Sequence, residues 1–298
     1  MRPLLLPLPG NEGAAEGIAA RVDGECGRLT VRRFPDGESY VRLDAAVDGR
    51  SIVLVCTLDR PDQKLLPLLF AAAAARELGA ARIGLVAPYL AYMRQDRRFE
   101  EGEAVTSRHF ASLISNGVDW LVTVDPHLHR ISSLGDVYPI EVRVVRAASR
   151  VAEWIAANVE RPLLVGPDAE SVQWVRAVAA GSSPYIVLTK VRRGDRDVEV
   201  SVPEVGRWSD HTPVLVDDIV STARTMIETV GHLRRAGLRP PVCVGVHAIL
   251  AGSAYQDLLA AGAALVATSN TIPHASNAID LTEAIAEAVR DIVTLRES

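Results

Sequence analysis

The sequence predicts an α/β fold of the doubly wound type, in which mostly parallel sheets are flanked by helices. Short β-branched apolar runs alternate with amphipathic helical patterns along the whole chain. Two of these runs, at 120–125 and 213–217, end in an aspartate that leads into a polar loop. The length of 298 residues exceeds what one hydrophobic core usually serves. We therefore expect two similar domains in tandem.

The elements follow in order from periodicity and turn signals. Strands are expected at the short apolar runs 51–56, 82–87, 120–124, 163–165, 185–188, 214–216, 242–246 and 265–268. Helices are expected where apolar residues recur every three or four positions, at 11–22, 62–78, 105–116, 147–157, 169–180, 222–236, 253–261 and 280–294. A hairpin of strands 29–31 and 40–42 is expected around the Pro35-Asp36-Gly37 turn.

The domain boundary is expected where the apolar run 142–145 ends and a helical pattern begins, although no glycine- or serine-rich linker marks it. This gives an N-terminal domain of residues 1–145 and a C-terminal domain of residues 146–298. The last helix is amphipathic, with an apolar face that includes Leu281, Ile285 and Val289 and a polar face rich in acids. It is therefore expected to pack on a domain, with the N-terminal domain as one candidate surface, and not on a membrane.

Composition excludes several classes of protein. A hydrophobic fraction of 48% and a charged fraction of 23% are those of a globular protein, and the net charge of −5 argues against a surface that coats nucleic acid. The apolar run 65–75 is shorter than the roughly 18 residues of a membrane-spanning helix, and no export signal is visible. Cys26, Cys56 and Cys243 are too widely spaced for a disulfide framework and are expected to be buried. We expect a cytoplasmic protein.

The segment 214–226 is the most informative part of the chain. A buried strand is followed by Asp217 and Asp218 and then by a hydroxyl-rich turn, Ser221 to Thr225, that opens a helix. Unpaired N–H groups at a helix start, together with hydroxyls, can surround a phosphate dianion, and the two carboxylates can accept hydrogen bonds from ribose hydroxyls. The alternative is an ordinary strand-to-helix turn with Ser221 as its N-cap.

Three further motifs have both a functional and an ordinary interpretation. Phe34 to Glu38 could contact a ligand or simply form a hairpin turn. The polar groups at 88–98 directly follow a strand, so they either emerge at the edge where open α/β sheets bind ligands or form a solvated charge run. His127 also follows a strand, and it is either a metal ligand or a hydrogen-bonded loop histidine.

Two motifs of the second half complete the set. Residues 190–196 carry four cationic side chains after the strand 185–188, and these could stabilise a charged transition state or form a solvated hairpin tip. Asp168 follows the strand 163–165 at the start of a helix, where it could cap the helix or bind a metal ion.

Taken together and in this order, these motifs resemble the ribose-phosphate pyrophosphokinase family, from Phe34 to the segment 268–271. The resemblance implies two tandem type I phosphoribosyltransferase-like domains, with an active site between them and help from a neighbouring subunit. It implies that this chain, like the family, transfers the β,γ-diphosphoryl group of MgATP to the 1-hydroxyl of ribose 5-phosphate. The products would be 5-phosphoribosyl 1-pyrophosphate and AMP. It also implies a homo-oligomer.

The same resemblance implies a role for each matching residue. Lys190 and Arg192 would act in catalysis, and His127 and Asp168 would approach Mg2+. The nucleotide would be held by Phe34, Asp36, Glu38, Arg94 and Gln95. Ribose 5-phosphate would be held by Asp217, Asp218, Ser221, Thr222, Ala223, Arg224 and Thr225.

The chain departs from the common family pattern in the turn. Many members have Asp-Thr-Gly/Ala/Cys-Gly-Thr where this chain has Ser221-Thr222-Ala223-Arg224-Thr225. An arginine at 224 forfeits the positive φ that a glycine would permit there, although its guanidinium could add a phosphate contact. The departure leaves two alternatives open: a diverged enzyme that acts on a related sugar phosphate, and a non-catalytic regulatory homologue. A phosphoribosyltransferase is disfavoured because such enzymes are usually shorter and need fewer of these motifs.

Overall fold

The protein is described by a computed structural model that covers residues 2–128, 131–167, 171–179, 183–192, 198–201 and 205–294. The chain forms two compact units. Unit 1 comprises Met1–Val145 and Thr282–Ser298, and unit 2 comprises Arg146–Leu281.

Unit 1 contains an all-parallel six-stranded sheet. Its elements in chain order are β1 Leu4–Pro7, α1 Glu12–Arg21, β2 Glu25–Cys26, β3 Leu29–Arg33, β4 Ser39–Leu43, β5 Ser51–Val55, α2 Pro61–Glu77, β6 Arg82–Ala87, α3 Thr106–Gly117, β7 Trp120–Val124 and β8 Glu141–Val145. The strand order is β2-β1-β5-β6-β7-β8. Strands β3 and β4 form a separate antiparallel hairpin.

Unit 2 repeats this plan. Its elements are α4 Ala148–Asn158, β9 Pro162–Gly166, α5 Val172–Ala179, β10 Tyr185–Val187, β11 Thr189–Arg192, β12 Val198–Ser201, β13 Thr212–Val220, α6 Arg224–Arg235, β14 Val242–Ala248, α7 Ala254–Ala260, β15 Leu265–Ser269 and β16 Asn277–Ile279. The strand order is β10-β9-β13-β14-β15-β16, again all parallel. In each unit a hairpin follows the edge strand β2 or β10. The predicted fold class is therefore confirmed.

The last helix, α8 Thr282–Thr294, belongs to unit 1. Its apolar side chains Ile285, Val289 and Ile292 are buried. Arg21 of α1 pairs with Glu283 at 2.9 Å, and Arg82 of β6 donates to the Ile292 carbonyl at 3.1 Å. No helix in the described ranges has both the length and the apolar character needed to cross a bilayer.

Strand β13 differs from its prediction. It was expected to end at residue 216, but it continues to Val220 because Ile219 and Val220 pair with His247 and Ala248 of β14. Asp217 and Asp218 therefore lie within the strand and not in a loop after it. Helix α6 begins at Arg224 and not at 222.

Other differences concern the edges of the sheets and one cysteine. Strand β1 was missed because three prolines surround it, yet Pro3 and Pro7 lie at its ends, where proline does little harm. The two-residue strand β2 and the three-residue strand β16 are too short to have a periodicity. Cys56 and Cys243 are buried as expected, and burial raises the pKa of both thiols to about 12, whereas the expectation for Cys26 was wrong because it is exposed.

The packing of Gly84 on β6 against Trp120 on β7 yields a test of unit 1. A Cβ atom added at Gly84 would lie 1.9 Å from Cε2 of the fully buried Trp120. We expect Gly84→Ala to lower the free energy of unfolding by about 1–3 kcal/mol in urea titrations. Gly13→Ala, in the exposed part of α1 with nothing near the new methyl group, should leave stability unchanged or slightly raised. Equal effects of the two changes would contradict this packing.

Candidate functional site

A cavity of about 130 Å³ lies where β13 ends and α6 begins. It is lined by Asp217, Ile219, Val220, Ser221, Thr222, Ala223, Arg224, Thr225 and Met226. The structure thus brings together the residues that were predicted to hold a sugar phosphate. Asp217 and Ser221 to Thr225 line the cavity directly, and Asp218 is their neighbour in the strand.

The start of α6 is left without a side-chain cap. Ala223 occupies the N-cap position, its side chain has no atom that could accept a hydrogen bond, and the first turn contains no acid. The interpretation of Ser221 as the N-cap is therefore wrong. Because the first N–H groups of a helix have no intrahelical partners and carry partial positive charge, this end can accept an anion in the cavity.

The turn obtains its sharp bend from Ala223 and not from Arg224. Ala223 has φ 57° and ψ 11°, in the left-handed region, and it is buried. Arg224 is the first residue of the helix, and its side chain is exposed. The concern that arginine at 224 forfeits a needed positive φ was therefore misplaced. The position that needs this conformation is 223, so 224 can carry a long cationic side chain at the rim of the cavity.

Both signs of charge and several hydroxyls meet at this cavity. Asp217 and Asp218 are half-buried, and the Asp218 N–H donates to Oδ1 of Asp217 at 3.0 Å. The side chains of Ser221 and Thr225 are half-buried, and that of Thr222 is exposed. Donors at the turn and acceptors on the strand are the two sets of groups that a phosphate ester of a polyol requires.

The loop that follows β14, which the sequence analysis did not predict to take part, holds the turn in place. The Leu250 and Ala251 N–H groups donate to the Val220 and Ser221 carbonyls at 2.8 and 3.1 Å. A Cβ atom at Gly245 of β14 would lie 2.4 Å from the Val220 side chain, so the glycine makes room for it. A glycine inside a strand pattern, which often marks close backbone approach, was the available signal.

The hairpin residues predicted to contact a nucleotide lie at an exposed tip in unit 1. Phe34, Asp36 and Glu38 are exposed, and Gly37 has φ 95° in the turn. The Arg32 guanidinium lies 4.5 Å from the ring centre of Phe34 and 4.1 Å from that of Tyr40. The predicted hairpin is confirmed, and its tip carries the exposed Phe34 beside two carboxylates.

The other candidate nucleotide residues follow β6. Arg94 is exposed, and Oε1 of Gln95 accepts a hydrogen bond from the Thr106 hydroxyl at 3.1 Å. Within the described ranges, no hydrogen bond, ion pair or ring contact joins the hairpin residues Phe34, Asp36 and Glu38 to Arg94 or Gln95.

The remaining candidates are only partly described. His127 is half-buried, two residues after the buried Asp125 at the end of β7. Lys190 and Arg192 lie on β11, where their backbones pair with Val200 and Val198 of β12. Asp168 lies outside the described residues. Among the residues that the structure describes, no cluster of three or more His, Cys, Asp or Glu side chains could hold a metal ion.

Comparisons with known proteins agree with this organisation. Residues 4–117 match the family model of the N-terminal domain of ribose phosphate pyrophosphokinase, and residues 135–281 match that of the phosphoribosyl transferase domain. A ribose-phosphate pyrophosphokinase of Methanopyrus kandleri is 33% identical over 97% of this chain and 99% of its own. One of Halobacterium salinarum is 33% identical over 96% of this chain and 100% of its own.

A solved structure is also similar over nearly its whole length. The crystal structure of phosphoribosylpyrophosphate synthetase from Mycobacterium smegmatis superimposes with a TM-score of 0.87 at 25% identity, and the match covers 98% of this chain and 99% of that one.

The left-handed backbone at Ala223 generates a prediction about stability. Alanine pays about 1–2 kcal/mol for this conformation, whereas glycine does not. We expect Ala223→Gly to leave the melting temperature unchanged or to raise it. Ala73→Gly, at an exposed position inside α2, should lower stability by about 1 kcal/mol. If calorimetry found the same loss for both changes, the left-handed conformation of Ala223 would be refuted.

Proposed function

Because the chain belongs to the ribose-phosphate pyrophosphokinase family, we infer that it transfers the β,γ-diphosphoryl group of MgATP to the 1-hydroxyl of ribose 5-phosphate. The products are 5-phosphoribosyl 1-pyrophosphate and AMP. The observation that carries the assignment is the uncapped start of α6, which opens into a cavity lined by hydroxyls and a carboxylate. The two half-chain family matches support the same enzyme, since a phosphoribosyltransferase would not need the N-terminal half.

In the proposal, unit 2 holds the sugar phosphate. The 5-phosphate accepts hydrogen bonds from the N–H groups and hydroxyls of Ser221 to Thr225. Asp217 and Asp218 accept hydrogen bonds from the ribose hydroxyls. Arg224 adds a guanidinium contact to the phosphate, for which its exposed position at the cavity rim is suited. These groups fix the 1-hydroxyl in place for the reaction.

The N-terminal domain, residues 1–145, would bind the nucleotide. Phe34 would stack on the adenine while Asp36 and Glu38 accept hydrogen bonds from it, and Arg94 and Gln95 would hold the nucleotide. The exposure of Phe34 at the hairpin tip supports this role. Of the predicted C-terminal domain, residues 146–298, the part that forms unit 2 would bind the sugar phosphate, since residues 282–298 belong to unit 1.

Catalysis in this scheme depends on position and charge. Diphosphoryl transfer needs no nucleophilic side chain, because the substrate hydroxyl attacks the β-phosphorus in line with the departing AMP oxygen. Lys190 and Arg192 would stabilise the negative charge that develops on the bridging and β-phosphoryl oxygens. They lie two residues apart on β11.

Mg2+ is the cofactor of the proposed reaction. This ion is commonly held by one or two carboxylates together with substrate phosphates, so it would arrive bound to ATP. Bound Mg2+ would neutralise charge on the phosphoryl oxygens. Asp168 would approach it through a carboxylate oxygen, and His127 through a water molecule, because Mg2+ prefers oxygen ligands.

Two further features belong to the proposal. We expect a homo-oligomer, since α2 exposes Leu66 and Phe70 one turn apart and α3 exposes Leu113. In that assembly a neighbouring subunit would help to complete the active site. A cytoplasmic location is consistent with three free cysteines. Neither nucleic acid nor a membrane is an expected partner.

The function is tested by incubating the purified protein with Mg2+, ATP and ribose 5-phosphate. AMP and 5-phosphoribosyl 1-pyrophosphate should form together, as followed by chromatography and phosphorus NMR. A parallel series with other pentose phosphates tests the diverged enzyme. Absence of AMP with every sugar phosphate would sink the catalytic assignment and favour a regulatory homologue.

Removal of the Lys190 amine should abolish most of the activity. We expect Lys190→Ala to lower kcat by at least about a hundredfold, because its charge acts mainly in the transition state. The melting temperature should stay within a few degrees of the parent value. Lys190→Arg retains the charge and should recover part of the rate. An unchanged rate in the alanine variant would remove Lys190 from the chemistry.

Arg224 should matter more for the sugar phosphate than for ATP. We expect Arg224→Gly to raise KM for ribose 5-phosphate about tenfold, the worth of a charge-assisted hydrogen bond, with little change in KM for ATP. Arg239→Ala, an exposed arginine beyond the end of α6, serves as the matched control. Equal effects on both substrates would leave Arg224 with a structural role alone.

A further inference from the structure

The segment that leads from β6 to Arg94 is buried except for Tyr92, which is half-buried. Tyr89, Leu90, Ala91 and Met93 are all less than 10% exposed. The Leu58 N–H donates to the Tyr89 carbonyl at 2.9 Å and ties the segment to the end of β5. Arg94 is the next residue after this buried stretch, and it is exposed. The position of its Cα atom is therefore set by the backbone that precedes it.

Tyr92, two residues before Arg94, has an unfavourable backbone conformation. Its φ is 60°, in the left-handed region, which costs a bulky residue about 1–2 kcal/mol. Two contacts hold it there. The phenol hydroxyl donates to the Asp62 carboxylate in the first turn of α2, and the ring packs on Phe110 of α3 with centroids 4.8 Å apart.

The residue after Arg94 is also anchored. The Thr106 hydroxyl donates to Oε1 of Gln95 at 3.1 Å, and the Ser107 N–H donates to the Gln95 carbonyl at 3.3 Å. With the described residues, Arg94 itself makes no hydrogen bond or ion pair. The guanidinium therefore extends from a short piece of backbone that is fixed on both sides by α2 and α3.

We propose that Tyr92 is a positioning residue that aims Arg94 at the nucleotide, with Asp62 and Phe110 holding its left-handed backbone in place. The inference rests on the proposed role of Arg94 in holding ATP. Strain of this kind persists where surrounding contacts over-determine it, and it concentrates at binding sites. Loss of the Tyr92–Asp62 hydrogen bond lets the backbone relax, so Arg94 spends less time where a phosphate can meet it.

In the hydrogen bond between Tyr92 and Asp62, the pKa of the phenol decides which group donates. The Asp62 carboxylate is the main cause of a raised pKa of the Tyr92 phenol, and partial burial adds to it. The phenol therefore stays protonated near neutral pH and donates, while Asp62 accepts. Asp62→Asn keeps an oxygen acceptor at the same place, whereas Asp62→Ala removes it.

The test compares four variants of the whole protein. Tyr92→Phe and Asp62→Ala should each raise KM for ATP about five- to tenfold, the worth of one such hydrogen bond, and leave KM for ribose 5-phosphate within about twofold. The double variant should be no worse than either single change, because both remove the same interaction. Asp62→Asn should lie close to the parent protein.

Tyr138→Phe is the matched control in unit 1. Tyr138 is 1% exposed, and its hydroxyl has no hydrogen-bond partner in the described part of the chain. This change should leave both KM values at the parent level. A similar rise in both KM values for Tyr92→Phe, or additive effects in the double variant, would overturn the proposal, since a merely structural tie would give that pattern.

Two measurements separate failure of this inference from failure of the proposed function. Calorimetric titration with MgATP measures nucleotide affinity without turnover, so it judges Tyr92 even if no AMP is released. In an Arg94→Ala background, Tyr92→Phe should weaken ATP binding no further. A further loss in that background would show that Tyr92 acts through something other than Arg94 and would refute the positioning role.

Discussion

Parallel strand pairing is the constraint on which the rest of this structure depends. In both sheets every strand runs in the same direction, so the carboxyl ends of the central strands meet at one edge of each sheet. Beyond each of those strand ends the chain has to turn within a few residues before the next helix begins. Of the seven described non-glycine residues with positive φ, five follow such strand ends, namely Arg60, Tyr92, Asp125, Ala223 and Leu250. The strain is thus placed where ligands bind in this class of fold.

Both units have a left-handed residue immediately before a helix, but the groups around that residue differ. Arg60 precedes α2 with φ 50°, as Ala223 precedes α6 with φ 57°, and neither helix has a side-chain cap. In unit 1 the Lys64 ammonium donates to the Thr57 carbonyl at 2.9 Å and pairs with Asp59, so a cation of α2 itself lies beside the turn. In unit 2 the corresponding turn borders a cavity. The two turns therefore share a left-handed residue but differ in the groups beside it.

The sequence was sufficient for the features that a local pattern determines. The central strands, the main helices and the Leu29–Leu43 hairpin follow from periodicity and turn residues. The turn residues Ser221 to Thr225 were singled out by a local pattern and then by a resemblance, and they lie around one cavity. The length of β13 could not be predicted, because Asp217 and Asp218 look like loop residues until the pairing with β14 is known. The assignment of the left-handed position to Ala223 likewise depends on where α6 begins. The anchoring of Tyr92 by Asp62 joins residues 30 apart and has no local signal.

The return of α8 to unit 1 affects how the protein is made. Unit 1 is assembled from Met1–Val145 and Thr282–Ser298, whereas unit 2 is continuous in sequence. During synthesis on the ribosome, unit 2 therefore emerges with all of its strands and helices before α8 has been translated. Until then the faces of β7 and β8 that α8 covers stay exposed. That surface is prone to aggregation while it is exposed. The N-terminal half is therefore synthesised first but completes its tertiary structure last.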